Sequence, residues 1–403
     1  MATMKQLIVG FKPRTRRSDC LKLHKKMKTR LINEIKEMGI HVVTVPNNEL
    51  RSCLSNYASS RDVLFVEEDH LIQVEPVTNT TALSSLEKVR STVATNDPLL
   101  ESQWGLAIVN AQGAWELARV SPISARIAIL DTGVNHDHPD LRGKIVHEAN
   151  FSNSQTARDV YGHGTHVAGI AATVTNNENG IAGMSYNSAA IMNIKVLGDS
   201  GGGTLSNVAE GIIYATNQGA HVINLSLGSQ TSNETLRSAI NYAYNNGVLL
   251  VGAAGNNGAD TPHFPAAFEQ VLAVAAVNQS NEIAPFSNYG PWVEVAAPGN
   301  EILSTFPQQT GEPMTGYRVA SGTSQAAPFI SGLAGLIKAT NPVLTNGQIR
   351  SIIQRSAIRT ISGGTIRFGR IDAMRAIQLT RDAISQRQIH NFPPVWLNTK
   401  NAN

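Results

Sequence analysis

Asp131, His163 and Ser324 are an acid, a base and an alcohol, and each stands at the edge of a regular element rather than inside one. Asp131 ends the apolar run Arg126-Ile-Ala-Ile-Leu130, just before Thr132-Gly133. The run is short and rich in β-branched residues, so it reads as a buried strand closed by a turn. A carboxylate there is either a turn cap or part of an active site, because ligands in an open α/β sheet gather at the carboxyl ends of the strands. His163 lies in Tyr161-Gly-His-Gly-Thr-His-Val-Ala-Gly169, where glycines give way to a small-residue helix. The pair His163/His166 lacks the glutamate of the helical zinc motif HExxH. A catalytic imidazole at a helix start is the better reading of His163, and His166 is assigned to structure. Ser324 lies in Ala320-Ser-Gly-Thr-Ser-Gln-Ala-Ala-Pro328, ahead of the apolar helix Phe329 to Ile337. A serine in that place is usually a cap. The same place would serve a nucleophile, since free N–H groups and the helix dipole stabilise the oxyanion formed when a hydroxyl attacks a carbonyl. An alcohol needs a base within hydrogen-bond reach and a third group to orient that base. His163 and Asp131 are residues of those two types, and the chain order is Asp, His, Ser.

The elements that must position these groups fall into two regions. Residues 1 to about 77 are rich in Lys and Arg, nearly free of Gly, and hold both cysteines, Cys20 and Cys53. Lys5 to Phe11 reads as a strand, Cys20 to Met38 as a basic helix, Ile40 to Val45 as a strand, Asn48 to Tyr57 as a short helix, and Val63 to Val74 as one or two strands. That order predicts a small α+β sandwich ending at Pro76, followed by an exposed linker over residues 78–95. From about Trp104 the pattern changes to apolar strands alternating with Gly-bounded helices. Ala189 to Leu197, His221 to Leu227, Val248 to Ala253, Val271 to Val277 and Val293 to Ala297 are strand candidates; Ser206 to Gln218 and Asn233 to Asn246 are helices with Gly at the stop position. This predicts a parallel sheet covered on both faces. Thr345-Asn-Gly-Gln348 has capping-box spacing and opens another helix. Residues 96–380 make up this domain, and the tail 381–403 carries no readable motif.

Bulk properties narrow the function. With 33 Lys+Arg against 30 Asp+Glu the formal charge is +3, too small for an electrostatic nucleic-acid binder, so no nucleic-acid partner is expected. Two cysteines near the N-terminus do not staple the main domain, and no Cys/His spacing fits zinc. No apolar stretch approaches a membrane span, so no membrane partner is expected either. Met1 to Val9 lacks the pattern of a secretory signal, which leaves a cytoplasmic start and a signal upstream of this sequence both open.

Taken together, Asp131-Thr-Gly133, His163-Gly-Thr-His-Val-Ala-Gly169 and Gly322-Thr-Ser-Gln-Ala-Ala-Pro328 resemble the three signatures of the subtilisin-like serine endopeptidases, most of all the thermitase branch. The resemblance covers about Asn96 to Ile377. It implies a three-layer α/β fold with a mostly parallel central sheet and helices on both faces, and hydrolysis of peptide bonds by a Ser-His-Asp acyl-enzyme route. By position it adds Asn256, in Ala253-Ala-Gly-Asn256, as a donor to the oxyanion. A catalytically silent relative would lack a triad member, and none is missing. A dedicated cytoplasmic processing enzyme would differ in role, not in chemistry.

The resemblance also implies how substrate and ions are held. Ser226-Leu227-Gly228 and Gly201-Gly-Gly203 resemble two extended edges between which a protein or peptide substrate lies as an added strand. Ala253 and Gly255 border the primary pocket. Leu205 stands where many relatives carry an aromatic residue at a distal pocket, and His263 stands near the base of the primary one, so apolar or aromatic side chains are expected before the cut bond. Gln325 replaces a common, oxidisable Met. Asp97, Asp140, Val174, Asn177, Asn179 and Ile181 resemble a structural calcium site made of hard oxygen ligands. The N-terminal module resembles a ferredoxin-like propeptide that assists folding, blocks the cleft and is removed by self-cleavage between about Val77 and Asn96. A monomer is expected, and family resemblance favours an extracellular setting.

Overall fold

The computed structural model of the chain describes residues 3–74, 78–81, 95–118, 124–307, 316–359 and 362–385. The N-terminal module runs β1 (Met4–Phe11), α1 (Arg17–Lys26), β2 (Arg30–Ile35), β3 (Ile40–Pro46), α2 (Leu50–Ala58) and β4 (Val63–Glu68). Its strands form an antiparallel sheet in the order β2-β3-β1-β4, the ferredoxin-like arrangement. Alternation along β1 sends Leu7, Val9 and Phe11 into the module's own core with Cys20, Cys53 and Tyr57, and Ile8 into a core shared with the large domain. Both cysteines are buried free thiols.

One expected element is corrected. Cys20 to Met38 is not a single helix: α1 ends at Lys26, and residues 30–35 form β2. Lys28 takes a left-handed φ of 57°, which stops the helix, and β2 pairs with β3 across a bulge between Leu31 and Asn33. The local helix preference of the Lys-rich stretch yields to the pairing that completes the sheet.

Two strands then leave the module, β5 (Leu71–Val74) and β6 (Thr78–Thr81). The start of the stretch read as an exposed linker is therefore strand; residues 82–94, where most of the expected processing region falls, lie outside the described residues.

The large domain begins with α3 (Trp104–Ile108), α4 (Ala111–Ala118), β7 (Ala125–Asp131), β8 (Ile145–Asn150), α5 (His163–Ala172) and β9 (Ala189–Lys195). It continues with β10 (Gly202–Thr204), α6 (Leu205–Asn217), β11 (Val222–Leu225), β12 (Leu227–Gly228), α7 (Glu234–Asn245), β13 (Leu249–Ala253) and β14 (Val271–Val277). It ends with β15 (Val295–Pro298), β16 (Ile302–Thr305), β17 (Tyr317–Ser321), α8 (Thr323–Thr340), α9 (Asn346–Ser356), β18 (Gly369–Arg370) and α10 (Ala373–Ser385). The capping box at Thr345 and Gln348 opens α9 as expected, and α10 runs past Thr380 into the stretch read as tail.

Eight strands form one parallel sheet in the order β18-β15-β14-β13-β11-β7-β9-β8. Ile127 and Ile129 of β7 face the core under α5 and α8, whereas Ala128 and Leu130 face the core under α6 and α7. Burial on both faces is why the central strands β7, β13 and β14 are largely apolar rather than alternating, whereas the edge strand β8 is only half-buried. The strand order reverses at β7, with β9 and β8 on one side and β11 onward on the other. At such a reversal the connecting loops diverge and leave a crevice beyond the carboxyl ends of the strands. The expected strand His221 to Leu227 divides there, because Leu227–Gly228 turns out of the sheet as β12.

Candidate active site

Asp131 is the last residue of β7 and His163 the first of α5, and both are buried. His163 Nδ1 donates to Asp131 Oδ1 at 2.8 Å, and the Thr132 N–H donates to the same oxygen at 2.7 Å. The bond requires α5 to start against the Asp131 turn, which Gly164 permits. A Cβ on Gly164 would lie 2.1 Å from the Gly133 carbonyl oxygen and 3.0 Å from Asp131 Cβ.

Asp159, absent from the sequence reading, ties these two elements together. Its Oδ1 accepts from the Thr132 hydroxyl at 2.9 Å and the Gly162 N–H at 2.8 Å; its Oδ2 accepts from the Thr165 N–H at 2.8 Å and the Thr165 hydroxyl at 2.6 Å. Burial raises its carboxyl above the usual range, opposed by these donors. Lys195 is a second missed brace: fully buried at the end of β9, its ammonium bonds the Thr132 carbonyl and pairs with Asp199 at 3.0 Å. His166 bonds the Arg318 carbonyl at 3.0 Å and is buried.

Ser324 is the second residue of α8, after Gly322 and Thr323, so its N–H belongs to the unsatisfied first turn of an 18-residue helix. Its hydroxyl donates to the Ser226 carbonyl at 3.2 Å. Asn256 Oδ1 accepts from both the N–H and the hydroxyl of Thr323, at 2.8 and 2.9 Å. Those two donors fix which end of the amide is oxygen, so the Nδ2 end faces the Gly322 turn, 3.2 Å from where a Gly322 Cβ would stand. Asn288 braces the same loop: its side chain takes the Asn257 N–H at 3.0 Å and donates to Ala254 O at 2.9 Å. Gln325 is fully buried behind Ser324.

The two segments expected to bind substrate lie on either side of a strand of this chain. β5 lies between β10 and β12 in an antiparallel three-stranded sheet, with Gln73 opposite Gly202 and Gly228, Ile72 opposite Gly203, and Val74 opposite Leu227. The Val74 N–H donates to Gly201 O at 3.0 Å. Ile72 is 1% exposed and shares an apolar cluster with Leu205. β6 pairs antiparallel with β17, Thr78 opposite Ser321, so chain segments flank Ser324 from both sides. Residues 75–77 between them lie outside the described residues. His263 lies between the two glycine walls: its Nε2 would be 2.3 Å from a Cβ on Gly228, and its Cγ 3.1 Å from one on Gly255. Ala253 ends β13 and is fully buried.

Carboxylates of the module also cap two helices of the large domain. Asp69 accepts from the Ser206 N–H at 3.0 Å and its hydroxyl at 2.6 Å, in the first turn of α6; Glu67 accepts from the Glu234 and Thr235 N–H groups at 3.0 and 2.9 Å, at the start of α7. Acceptors at helix N-termini satisfy free donors and oppose the helix dipole.

The expected ion ligands converge on one loop. Asp97 accepts from the Asn176 N–H at 2.8 Å and the Asn177 N–H at 3.3 Å, while Asp140 accepts from Asn177 Nδ2 at 3.1 Å, the Ile181 N–H at 2.9 Å and the Tyr317 hydroxyl at 2.9 Å. Val174 N–H donates to Asp140 O at 2.8 Å, and Asn179 N–H to Asn177 Oδ1 at 3.0 Å. The Ile181 carbonyl accepts from Thr173 at 3.3 Å. Among the described residues no three His, Cys, Asp or Glu side chains cluster as a metal site, so an ion here would be held by two carboxylates plus amide and carbonyl oxygens. Among the described residues no helix is long and apolar enough to cross a membrane.

Comparison with known proteins agrees with this geometry. Residues 124–389 match the subtilase family and residues 4–69 the fervidolysin N-terminal prodomain. Thermitase of Thermoactinomyces vulgaris is 45% identical over 286 residues, 70% of this chain and 99% of that protein. A thermophilic serine proteinase of Bacillus sp. (strain AK1) is 45% identical over 279 residues, 68% of this chain and 67% of that protein. In three dimensions the chain superposes on fervidolysin of Fervidobacterium pennivorans, a keratinolytic enzyme related to subtilisin, with a TM-score of 0.81 and 27% identity. That match covers 94% of this chain and 61% of the length of fervidolysin. With its family match, its relatives and its cleft-filling N-terminal module in accord, the chain belongs to the subtilase family and is a serine endopeptidase carrying its own prodomain.

Proposed function

We propose that Ser324 is the nucleophile of this endopeptidase, His163 its base and Asp131 the group that orients that base. The observation that carries the reading is the 2.8 Å bond between His163 Nδ1 and Asp131 Oδ1. It fixes the imidazole tautomer with the proton on Nδ1 and leaves Nε2 as the basic nitrogen. Ser324 Oγ rotates from the Ser226 carbonyl, gives its proton to Nε2 and bonds the scissile carbonyl carbon. The oxyanion is met by the Ser324 N–H and Asn256 Nδ2; in subtilisin, loss of such an amide donor costs about 100- to 1,000-fold in turnover. His163 then protonates the leaving amine, and a water repeats the sequence on the acyl-enzyme. Asp131 stabilises the imidazolium without taking its proton.

Substrate binding follows the path of β5: main-chain pairing with Gly201 to Gly203 and Ser226 to Gly228 gives affinity with little demand on sequence. Leu205 favours an apolar side chain where Ile72 sits. His263 shortens the primary slot between Gly228 and Gly255, which suits apolar or aromatic side chains before the cut bond. Because β5 occupies these edges, the prodomain is the inhibitor of the intact chain, and self-cleavage after β5, between about 77 and 96, frees the enzyme.

Calcium fits the Asp97–Asp140 loop. Burial raises the Asp97 carboxyl above its ordinary value, with the nearby Asp140 adding to the effect, and no cationic side chain pairs with either carboxylate among the described residues. A hard divalent cation would neutralise both, with Asn177, Asn179 and the carbonyls of Val174 and Ile181 completing the shell.

Three outcomes follow. A serine-directed covalent inhibitor should label Ser324 in the mature enzyme, and the label should vanish in His163→Ala; labelling at another residue contradicts the assignment. A peptide library should show apolar and aromatic residues before the cut bond, and a profile dominated by Asp and Glu would sink the pocket reading. For the ion, strong chelator should lower the melting temperature, by the equivalent of about 4 kcal/mol where calcium exceeds its Kd a thousandfold. An unchanged melting temperature counts against calcium.

A further inference from the structure

The prodomain core holds a chain of hydrogen bonds that cannot accommodate two protonated imidazoles. His24, in the last turn of α1, and His41, on β3, are each 3% exposed, and His24 Nε2 lies 2.8 Å from His41 Nδ1. His24 Nδ1 lies 2.7 Å from Tyr57 Oη on α2, itself 2.6 Å from Thr29 Oγ1. A neutral arrangement with one N–H on each ring satisfies the His–His and His–Tyr contacts. Thr29 donates to the Tyr57 oxygen, Tyr57 to His24 Nδ1 and His24 Nε2–H to His41 Nδ1, which leaves the His41 Nε2–H facing Glu34 Oε1 at 3.6 Å. If both rings were cationic, two N–H groups would face each other across 2.8 Å.

The surroundings offer little to offset a charge. From β1 the Phe11 ring packs edge-on to both imidazoles, at 5.7 and 5.0 Å. Cys53 on α2 stands beside Tyr57. Among the described residues Glu34 on β2 is the carboxylate paired with His41, and it is already bonded to Arg17 of α1 at 2.8 Å, with Lys36 nearby and Glu37 lining the same cleft. A cleft of about 400 Å³ lined by Arg17, Cys20, Glu34, Lys36, Glu37 and His41 reaches the His41 end of the pair. The opposite face of the same sheet carries Ile8, Ile35 and Ile40 into the core shared with α6 and α7. Opening β3 therefore removes the surface by which the module docks.

We propose that the His24–His41 pair is a proton-operated release: on acidification the module's core opens, and β5 loses the body that holds it in the cleft. The inference rests on the reading of the prodomain as inhibitor.

Burial pushes both imidazoles below their ordinary value of 6.5, His24 to about 4 with His41 adding to the effect, while Glu34 partly restores His41. A depressed folded-state value means the stability from the neutral pair is present above about pH 6.5 and is lost as pH falls toward 4. At pH 5, His24 alone favours the open module about 30-fold. Asp69 works in the opposite sense, since burial raises its carboxyl and docking gains as pH falls through its range. The acid-sensitive part is thus the core, not the docking contact.

The test is amide hydrogen exchange on the full-length Ser324→Ala chain at pH 7.5 and 5.0, corrected for intrinsic rates. Protection of β1 and β3 should fall about 30-fold or more at pH 5 while β7 and β11 hold. In His24→Gln/His41→Asn, which keeps hydrogen-bonding groups without titrating, the drop should shrink to about 2-fold or less. Should that variant fail to fold, His41→Leu, which removes one of the two proton sites, should show a weaker drop than the parent. Equal protection of the parent at both pH values, or an undiminished drop in the variants, overturns the proposal. If β1 and β3 open while the amides of β10 and β12 stay protected, the release is overturned, while the reading of β5 as the inhibiting strand stands.

Discussion

Everything at the site depends on one buried carboxylate having its donors in place. Asp131 is fully enclosed at the end of β7, where an ionised group is costly unless hydrogen bonds replace water. His163 Nδ1 and the Thr132 N–H supply two of them on one oxygen. That requirement fixes where α5 begins, and Asp159 and Lys195 hold Thr132, and with it the turn, in position. The position of the imidazole is thus set by the sheet, not by the loop that carries it. Ser324 and Asn256 are held separately, by the first turn of α8 and the loop after β13, and Thr323 joins these two through its bonds to Asn256 and Gly255. Four strand or helix ends meet at the reversal of strand order because that is where the connections of a parallel sheet diverge.

The same crevice explains the N-terminal module. β10 and β12 are short edges whose main-chain groups face an empty lane unless another strand fills it. β5 does so within this chain, while Asp69 and Glu67 cap α6 and α7. A protease that binds extended chains by main-chain pairing is open to its own polypeptide, and in the reading proposed above the prodomain turns that exposure into inhibition. On that reading, stability of the small module controls access to the cleft.

Much of the site was legible because its signals are local. Asp131, His163 and Ser324 each sit where apolar periodicity meets a small-residue turn, and Asn256 follows a strand of the same kind. The proposed ion loop was legible through the resemblance of its Asn-rich stretch 174–181, with Asp97 and Asp140, to a site of the thermitase branch. Other features were silent for physical reasons. Asp159 has no periodic neighbour, and its role arises from contacts with Thr132 and Thr165 that only folding creates; a lone Asp four residues before the His163 helix was the available clue. β17 is five residues long and looks like the approach to a helix, yet it forms the edge on which β6 lies. The Lys- and Arg-rich surroundings of β2 favour helix, and pairing with β3 decides otherwise. His24 and His41 are 17 residues apart and meet only across the module's core.

The central claim is that Asp131 acts through His163 rather than as a turn cap, and steady-state kinetics of Asp131→Asn alongside its melting curve tests it most directly. The account predicts an unchanged fold and near-normal substrate binding with turnover lowered about 10,000-fold, because the wrong imidazole tautomer is then favoured. Near-normal turnover with a markedly lowered melting temperature would contradict it.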